Sequence, residues 1–192
     1  MPELDSKDRV RLALLGRPEL GPTLTKLHLW NLEQYEKVVY VDADTLVLHN
    51  VDVLFDMNTH ENDGRDVVWA APDCGWPDCF NSGVMVIKPN RNTYERILGL
   101  WRSSGSFDGG DQGLLNDYFR DDSVQELLNT DQSAGVWKRL PFAFNVTPTA
   151  FYSYLPALEA RQDQVRIVHF IGSEGKPWLW YVFLMYLSFI SF

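Results

Sequence analysis

Asp42-Ala43-Asp44 directly follows the apolar run Val38-Val39-Tyr40-Val41. Side chains two apart in a strand share a face, so both carboxylates can converge on one point at a sheet edge. Paired carboxylates are hard oxygen donors suited to Mn²⁺ or Mg²⁺, and such a cation would in turn take phosphate oxygens. The plain alternative is two acids closing a strand, because Asp-x-Asp arises often by chance. His169 lies in the apolar stretch 165–170 (VRIVHF). It becomes a third ligand if its strand end lies beside Asp42 and Asp44, since neutral imidazole is a frequent companion of carboxylates around divalent ions; otherwise it is a satisfied core histidine. Residues 172–176 (GSEGK) can bring backbone amides and one ammonium toward a diphosphate, or form a surface turn.

A second polar cluster, residues 106–113 (SFDGGDQG), precedes a helical pattern. Glycines there admit close backbone approach, and Asp108 and Asp111 could accept hydrogen bonds from a polyhydroxylated ligand. Asp111 could equally be an N-cap. Residues 71–73 (APD), 80–83 (FNSG) and 140–145 (LPFAFN) read as polar-tipped loops beside strands. Together they supply acids, amides and a hydroxyl, the equipment for holding a sugar.

The elements that must position these groups alternate between strand and helix. Residues 37–42 and 83–87 are near-continuous apolar runs typical of strands covered on both faces, with 67–71 a weaker third and 165–170 the last. Residues 23–32 (TLTKLHLWNL) predict a helix packed on the sheet. Residues 93–101 predict another, with Asn92 and Glu95 spaced as a capping box and Ile97, Leu98 and Trp101 on one face. A third starts after Gly109-Gly110. The expectation is an α/β domain with a mostly parallel central sheet, whose ligands gather beyond the strands' carboxyl ends. Residues 60–66 (HENDGRD) read as a solvated insertion.

With 192 residues the chain fits one globular domain. The surplus of 26 acidic over 17 basic side chains, a net charge of −9, disfavours nucleic acid as a partner. An acidic protein that handles phosphorylated ligands recruits a cation as intermediary. Cys74 and Cys79 are the only cysteines and read as reduced, cytoplasmic thiols. Met1 to Arg11 has no apolar core of a signal peptide, which leaves the Asn145-Val146-Thr147 sequon idle. Residues 178–192 form a run of fifteen without a charge, seven of them aromatic. A membrane-spanning helix needs about 20 apolar residues, so the run is short for a span.

The ordered blocks RPELGPTLTKLHLW, YVDADTLVLHNVDVLF, APDCGWPDCFNSGVMV, GSFDGGDQGLLN, LPFAFN and VHFIG…KPW closely resemble the glycogenins, retaining glucosyltransferases of glycosyltransferase family 8 with the Rossmann-like GT-A fold. The resemblance implies that Asp42 and Asp44, as a DxD motif with Ala43 between them, hold Mn²⁺ with His169 against the diphosphate of UDP-glucose. It implies that Lys26, Asn81, Ser82, Asp108, Asp111 and Gln112 form the donor-sugar and catalytic shell, with Lys26, Asp111 and Gln112 catalytic. It makes Gly172 and Lys176 diphosphate contacts and Tyr152 the hydroxyl glucosylated first, before the 4-hydroxyls of a growing glucan that primes glycogen. A homodimer, glycogen synthase as partner and a cytoplasmic setting follow from the same likeness, with a membrane disfavoured.

Two departures stand out. Phe144 replaces a usual tyrosine, and three residues separate Gly172 from Lys176 where two are usual. The match begins near Asp5, which implies a GT-A domain over 1–178 lacking the family's first strand and much of its uridine pocket. Residues 179–192 then form a tail foreign to the domain, readable as an anchor or as the product of a mispredicted gene end. Alternatives to the glucosyltransferase are a family 8 enzyme acting on a small or polysaccharide acceptor, and an inactive scaffold for an intact partner.

Overall fold

Val38-Val39-Tyr40-Val41 is β-branched or aromatic throughout and forms the half-buried strand β1 (Val38–Val41). The structure is a computed structural model and describes residues 9–16, 18–61, 63–74, 77–122, 126, 134–172, 176 and 178. Residues 173–175 and the tail 179–192 lie outside the described residues. In chain order come α1 (Arg9–Leu15), a 3₁₀ helix (Pro18–Asn31), β1, β2 (Thr45–Val47), β3 (Asp66–Pro72), β4 (Phe80–Ile87), α2 (Arg91–Ser104) and α3 (Asp111–Tyr118). They are followed by β5 (Phe119–Arg120), β6 (Gly135–Arg139), α4 (Thr149–Ser153), α5 (Leu155–Arg161) and β7 (Ile167–His169).

The main sheet has the order β1-β4-β3-β6-β5. β4 runs antiparallel to β1 and β3, while β3, β6 and β5 pair in parallel, so four strands share one direction and β4 alone opposes them. The mostly parallel expectation therefore holds with one reversed strand near the middle. All eight residues of β4 are buried. That strand also corrects one expectation: residues 80–83 are part of β4, not a polar-tipped loop beside it. β7 departs as well. It pairs with β2 in a separate two-stranded antiparallel sheet, with Thr45 opposite His169.

Leu24, Leu27 and Trp30 of the 3₁₀ helix are at most 1% exposed. A helix with three residues per turn stacks positions three apart on one edge, and this spacing explains a 3₁₀ run far longer than usual. These side chains meet Phe80, Met85 and Ile87 of β4 together with Ile97 of α2 and Leu114 of α3. Each such burial contributes roughly 1.5–3 kcal/mol. The opposite face of the sheet carries a smaller cluster of Leu54, Ala71, Val86 and Leu140.

Helix α2 starts earlier than its periodicity suggests. Its cap is Asn90 rather than Asn92: Asn90 Oδ1 accepts from Asn92 N at 2.8 Å and Thr93 N at 3.2 Å. It ends at Gly105, whose φ of 74° suits glycine. Gly99 lies on its exposed side, and a Cβ there would meet nothing within 4 Å. Gly99→Ala is accordingly expected to stabilise the fold by about 0.5–1 kcal/mol, read as a higher urea midpoint with an unchanged slope. The insertion 60–66 is less solvated than expected. Asp66 opens β3 and accepts hydrogen bonds from Thr93 Oγ1, Arg96 Nη2 and Tyr118 OH at 2.5–2.8 Å, tying the strand to both helices. Among the described residues no helix is long and apolar enough to cross a membrane.

Candidate active site and cation centre

Asp42 N donates to Gly83 O at 2.8 Å, which carries the β1–β4 ladder one residue past the strand and stands the first carboxylate beside Gly83. The chain then turns at once, with Thr45 N donating to Asp42 O at 3.1 Å, and enters β2. The two carboxylates converge through this turn between two sheets, not through the pleat of a single strand. Pairing of β2 with β7 supplies the third member, because Phe170 N donates to Asp44 O at 2.8 Å and His169 lies across from Thr45.

Ligand atoms of Asp42, Asp44 and His169 all fall within 4.8 Å of one another. His169 Nε2 stands 3.3 Å from Asp44 Oδ1 and 3.7 Å from Asp42 Oδ2. Two carboxylate oxygens and an imidazole nitrogen converging on one point fit a Mn²⁺-like cation, and Mg²⁺ less well for its weaker taste for nitrogen. Behind His169, Nδ1 lies 2.9 Å from Asn145 Oδ1, Asn145 Nδ2 donates to Asn81 Oδ1 at 2.9 Å, and Gly83 N donates to the same oxygen at 2.9 Å. A Cβ on Gly83 would come within 2.1 Å of His169 Cε1, so the imidazole lies on a surface that only glycine provides.

Lys26, from the 3₁₀ helix, reaches the other side of Asp42. Its ammonium is 2.8 Å from Asp111 Oδ2 and 3.1 Å from Asp42 Oδ1, and it donates to Ser82 O at 3.3 Å. Ser82 Oγ donates to Asp111 Oδ2 at 2.7 Å. Burial favours the neutral form of Asp111, yet the Lys26 charge and hydrogen bonds from Lys26, Ser82 and Thr23 outweigh it and hold the carboxyl below its usual range. Burial likewise opposes the charge on Lys26, and the facing Asp111 and Asp42 carboxylates push its pKa up instead. Tyr40 OH donates to Asp42 Oδ1 at 2.6 Å, and burial together with that carboxylate raises the phenol. Asp44 is depressed despite its burial, with the Lys176 ammonium beside it favouring the charged form. The Lys176 ammonium pairs with Asp44 and donates to Phe170 O at 3.0 Å.

These groups line one cavity of about 550 Å³. It takes in Lys26, Asp42, Ala43, Asp44, Asn81 and Ser82, and equally Asp108, Asp111, Gln112, His169, Gly172 and Lys176. Every site residue expected from sequence is thus gathered at one place except Tyr152, which falls in α4 with its side chain outside the described residues. Gln112 Nε2 donates to Asp73 Oδ2 at 2.7 Å, while its Oε1 accepts from Ser82 N at 3.3 Å. Asp108 is occupied structurally as well: its carboxylate accepts from Ser106 Oγ, Gly110 N and Gly113 N at 2.7–2.9 Å and so caps α3. Asp111 is not that cap; Gly110 occupies the position. Gly172 takes a φ of 88° at the cavity's edge.

A family model for glycosyl transferase family 8 matches residues 16–180. The chain belongs to this family. Over 175 residues, 91% of its length, it is 50% identical to glycogenin-1 of Mus musculus and of Homo sapiens, and 49% identical to glycogenin-2 of Homo sapiens. It spans 47%, 45% and 31% of those proteins, less than half of each. Among solved structures it resembles the glycosyltransferase GlyE of Streptococcus pneumoniae TIGR4, with a TM-score of 0.60 at 20% identity over 88% of this chain and 43% of that one. The galactosyltransferase LgtC, solved with donor and acceptor sugar analogues, gives a TM-score of 0.55 at 20% identity over 88% and 66%. The fold is GT-A.

Within this family 8 frame, three residues of the site were not singled out from sequence. Tyr40 sits two before Asp42 on β1, and period-2 alternation could have flagged it. Asp73 directly follows β3, where an α/β fold collects ligand contacts, and Asn145 ends the 140–145 block as the C-terminal cap of a short 3₁₀ helix, Phe142–Phe144. Gln112 reaches Asp73, and Asn81 and His169 reach Asn145, from distant segments, so no local pattern signals these pairings.

Proposed function

We propose that the chain transfers glucose, with retention, from UDP-glucose to the Tyr152 hydroxyl of a chain of its own kind, and then to the 4-hydroxyl of a growing α-1,4-glucan, priming glycogen synthesis in the cytoplasm. The observation that carries this reading is the convergence of Asp42, Asp44 and His169 in the cavity that also holds Lys176, Lys26 and Asp111. Half-identity to the glycogenins supports the choice of donor and acceptor.

A divalent cation held by Asp42, Asp44 and His169 supplies positive charge against the leaving diphosphate. The chain's own residues do the rest. Lys176, which lines the same cavity beside Asp44, would add a second positive charge against the negative charge that builds on the leaving diphosphate. Asp111 stays ionised beside Lys26 and can orient a sugar hydroxyl or stabilise positive charge developing at C1. Gln112 and Ser82 offer hydrogen-bonding groups to the sugar ring. A second copy of this chain fits the role of acceptor or dimer partner, and glycogen synthase that of the downstream enzyme.

The test is incubation of the purified chain with Mn²⁺ and labelled UDP-glucose. Label is expected on the protein and lost in Tyr152→Phe. Label on a free sugar acceptor alone would favour a different family 8 reaction, and absence of both incorporation and Mn²⁺-dependent UDP binding would identify an inactive scaffold.

A further inference from the structure

The amides behind the cation centre are oriented by groups that can act in only one sense. Gly83 N–H can only donate, and it meets Asn81 Oδ1. The Asp73 carboxylate is an acceptor, and it faces Asn81 Nδ2 at 3.4 Å. Both constraints turn the Asn81 oxygen the same way. The Asn145 atom that meets this oxygen must therefore be Nδ2, which leaves Asn145 Oδ1 facing His169 Nδ1 at 2.9 Å. An amide oxygen only accepts, so Nδ1 carries the proton and the lone pair of the neutral ring sits on Nε2, aimed at Asp44 and Asp42. Asn145 is 1% exposed, Asn81 6% and His169 4%, so water is shut out as a substitute partner.

We propose that the relay from Gly83 through Asn81 and Asn145 sets the tautomer of His169, which makes Asn145 and Asn81 positioning residues for the cation. A lone pair directed at two carboxylates is a repulsive arrangement by itself and an attractive one around a divalent ion. The inference rests on reading Asp42, Asp44 and His169 as a cation centre. It also gives a defined duty to Asn145, whose side chain bonds only Asn81 and His169 among the described contacts. Partners of this kind fix ring orientation in metal sites, and their loss typically weakens metal binding by about 10–100-fold.

The direct test needs no substitution in the relay. Nitrogen-15 NMR of the metal-free chain, at a pH where the ring is neutral and with His169 assigned from the His169→Gln spectrum, should show the proton on Nδ1. A proton on Nε2 overturns the relay. In a second arm, Asn145→Ala is expected to weaken Mn²⁺ binding about 10–100-fold. Unchanged Mn²⁺ affinity in Asn145→Ala also overturns the proposal. If glucosyl transfer fails while the Nδ1–H tautomer and Mn²⁺ binding are present, the proposed function falls and the relay stands; the reverse pattern separates them the other way.

Discussion

Lys26→Met should cost about 3–5 kcal/mol of stability near pH 8, the usual penalty for removing one partner of a buried ion pair, and should abolish transfer. The Lys26 side chain is only 7% exposed and that of Asp111 8%, and Lys26 touches Asp111, Asp42 and Ser82 at once. Methionine fills similar space without a charge, so the loss is electrostatic rather than a cavity. The pH dependence gives the test its sign. In the native chain the Asp111 carboxyl is depressed, so its contribution to stability is present above the unfolded value of about 4 and fades as pH falls through the folded one. Without Lys26, burial acts on Asp111 with only Ser82 and Thr23 opposing it. Its folded pKa then lies above the unfolded one, and stability is lost as pH rises. The gap between native chain and variant must therefore widen as pH rises through about 4, the unfolded carboxyl value, in urea titrations. Adding Asp111→Asn should close much of the gap, because the uncompensated charge goes with it. A gap independent of pH would remove Lys26 from its place as the counter-ion of Asp111.

Much of this arrangement could be read from sequence, for reasons that differ by element. β4 announces itself because a strand covered on both faces reads as an apolar run, as residues 83–87 do, and all eight of its residues are buried. β1 reads the same way, yet among the described strands it stands at the end of the sheet and is only half-buried, so the expectation of two covered faces holds for β4 and not for β1. Asp42 and Asp44 were visible because they stand where such a strand ends. The means of their convergence was not visible. A turn and a switch to a second sheet bring them together, and that depends on β2 choosing β7 as its partner across more than a hundred residues. The same long-range pairing hides the surroundings of His169, which composition alone left between core residue and ligand. Residues 23–32 were legible as helical, but their spacing of three marks a 3₁₀ helix, a form too rare at this length to expect. The cap of α2 was misplaced by two residues because Asn90 and Asn92 offer the same side chain, and only Asn90 has the extended backbone that a cap needs.

Gly83→Ala is expected to remove cation binding while leaving the sheet in place. The added Cβ would lie 2.1 Å from His169 Cε1, 2.5 Å from Nδ1 and 2.9 Å from Asn81 Oδ1, all closer than real contacts permit. β4 is central and fully buried, and Gly83 O is bonded to Asp42 N, so the backbone has little room to retreat. The ring must swing away instead. That breaks the bond to Asn145 and withdraws Nε2 from the carboxylates, so the fall in Mn²⁺ affinity should be at least the 10–100-fold or so that follows loss of an orienting partner alone. Overpacking of this kind destabilises by about 1–3 kcal/mol. Because His169 is the group displaced, the double variant Gly83→Ala/His169→Ala should be more stable than Gly83→Ala by itself, yet still fail to bind Mn²⁺. Neighbours that clash give this non-additivity, whereas independent sites give simple sums. Strictly additive losses in the cycle, or a Gly83→Ala chain that binds Mn²⁺ as the native one does, would show that the imidazole does not depend on the bare surface of Gly83.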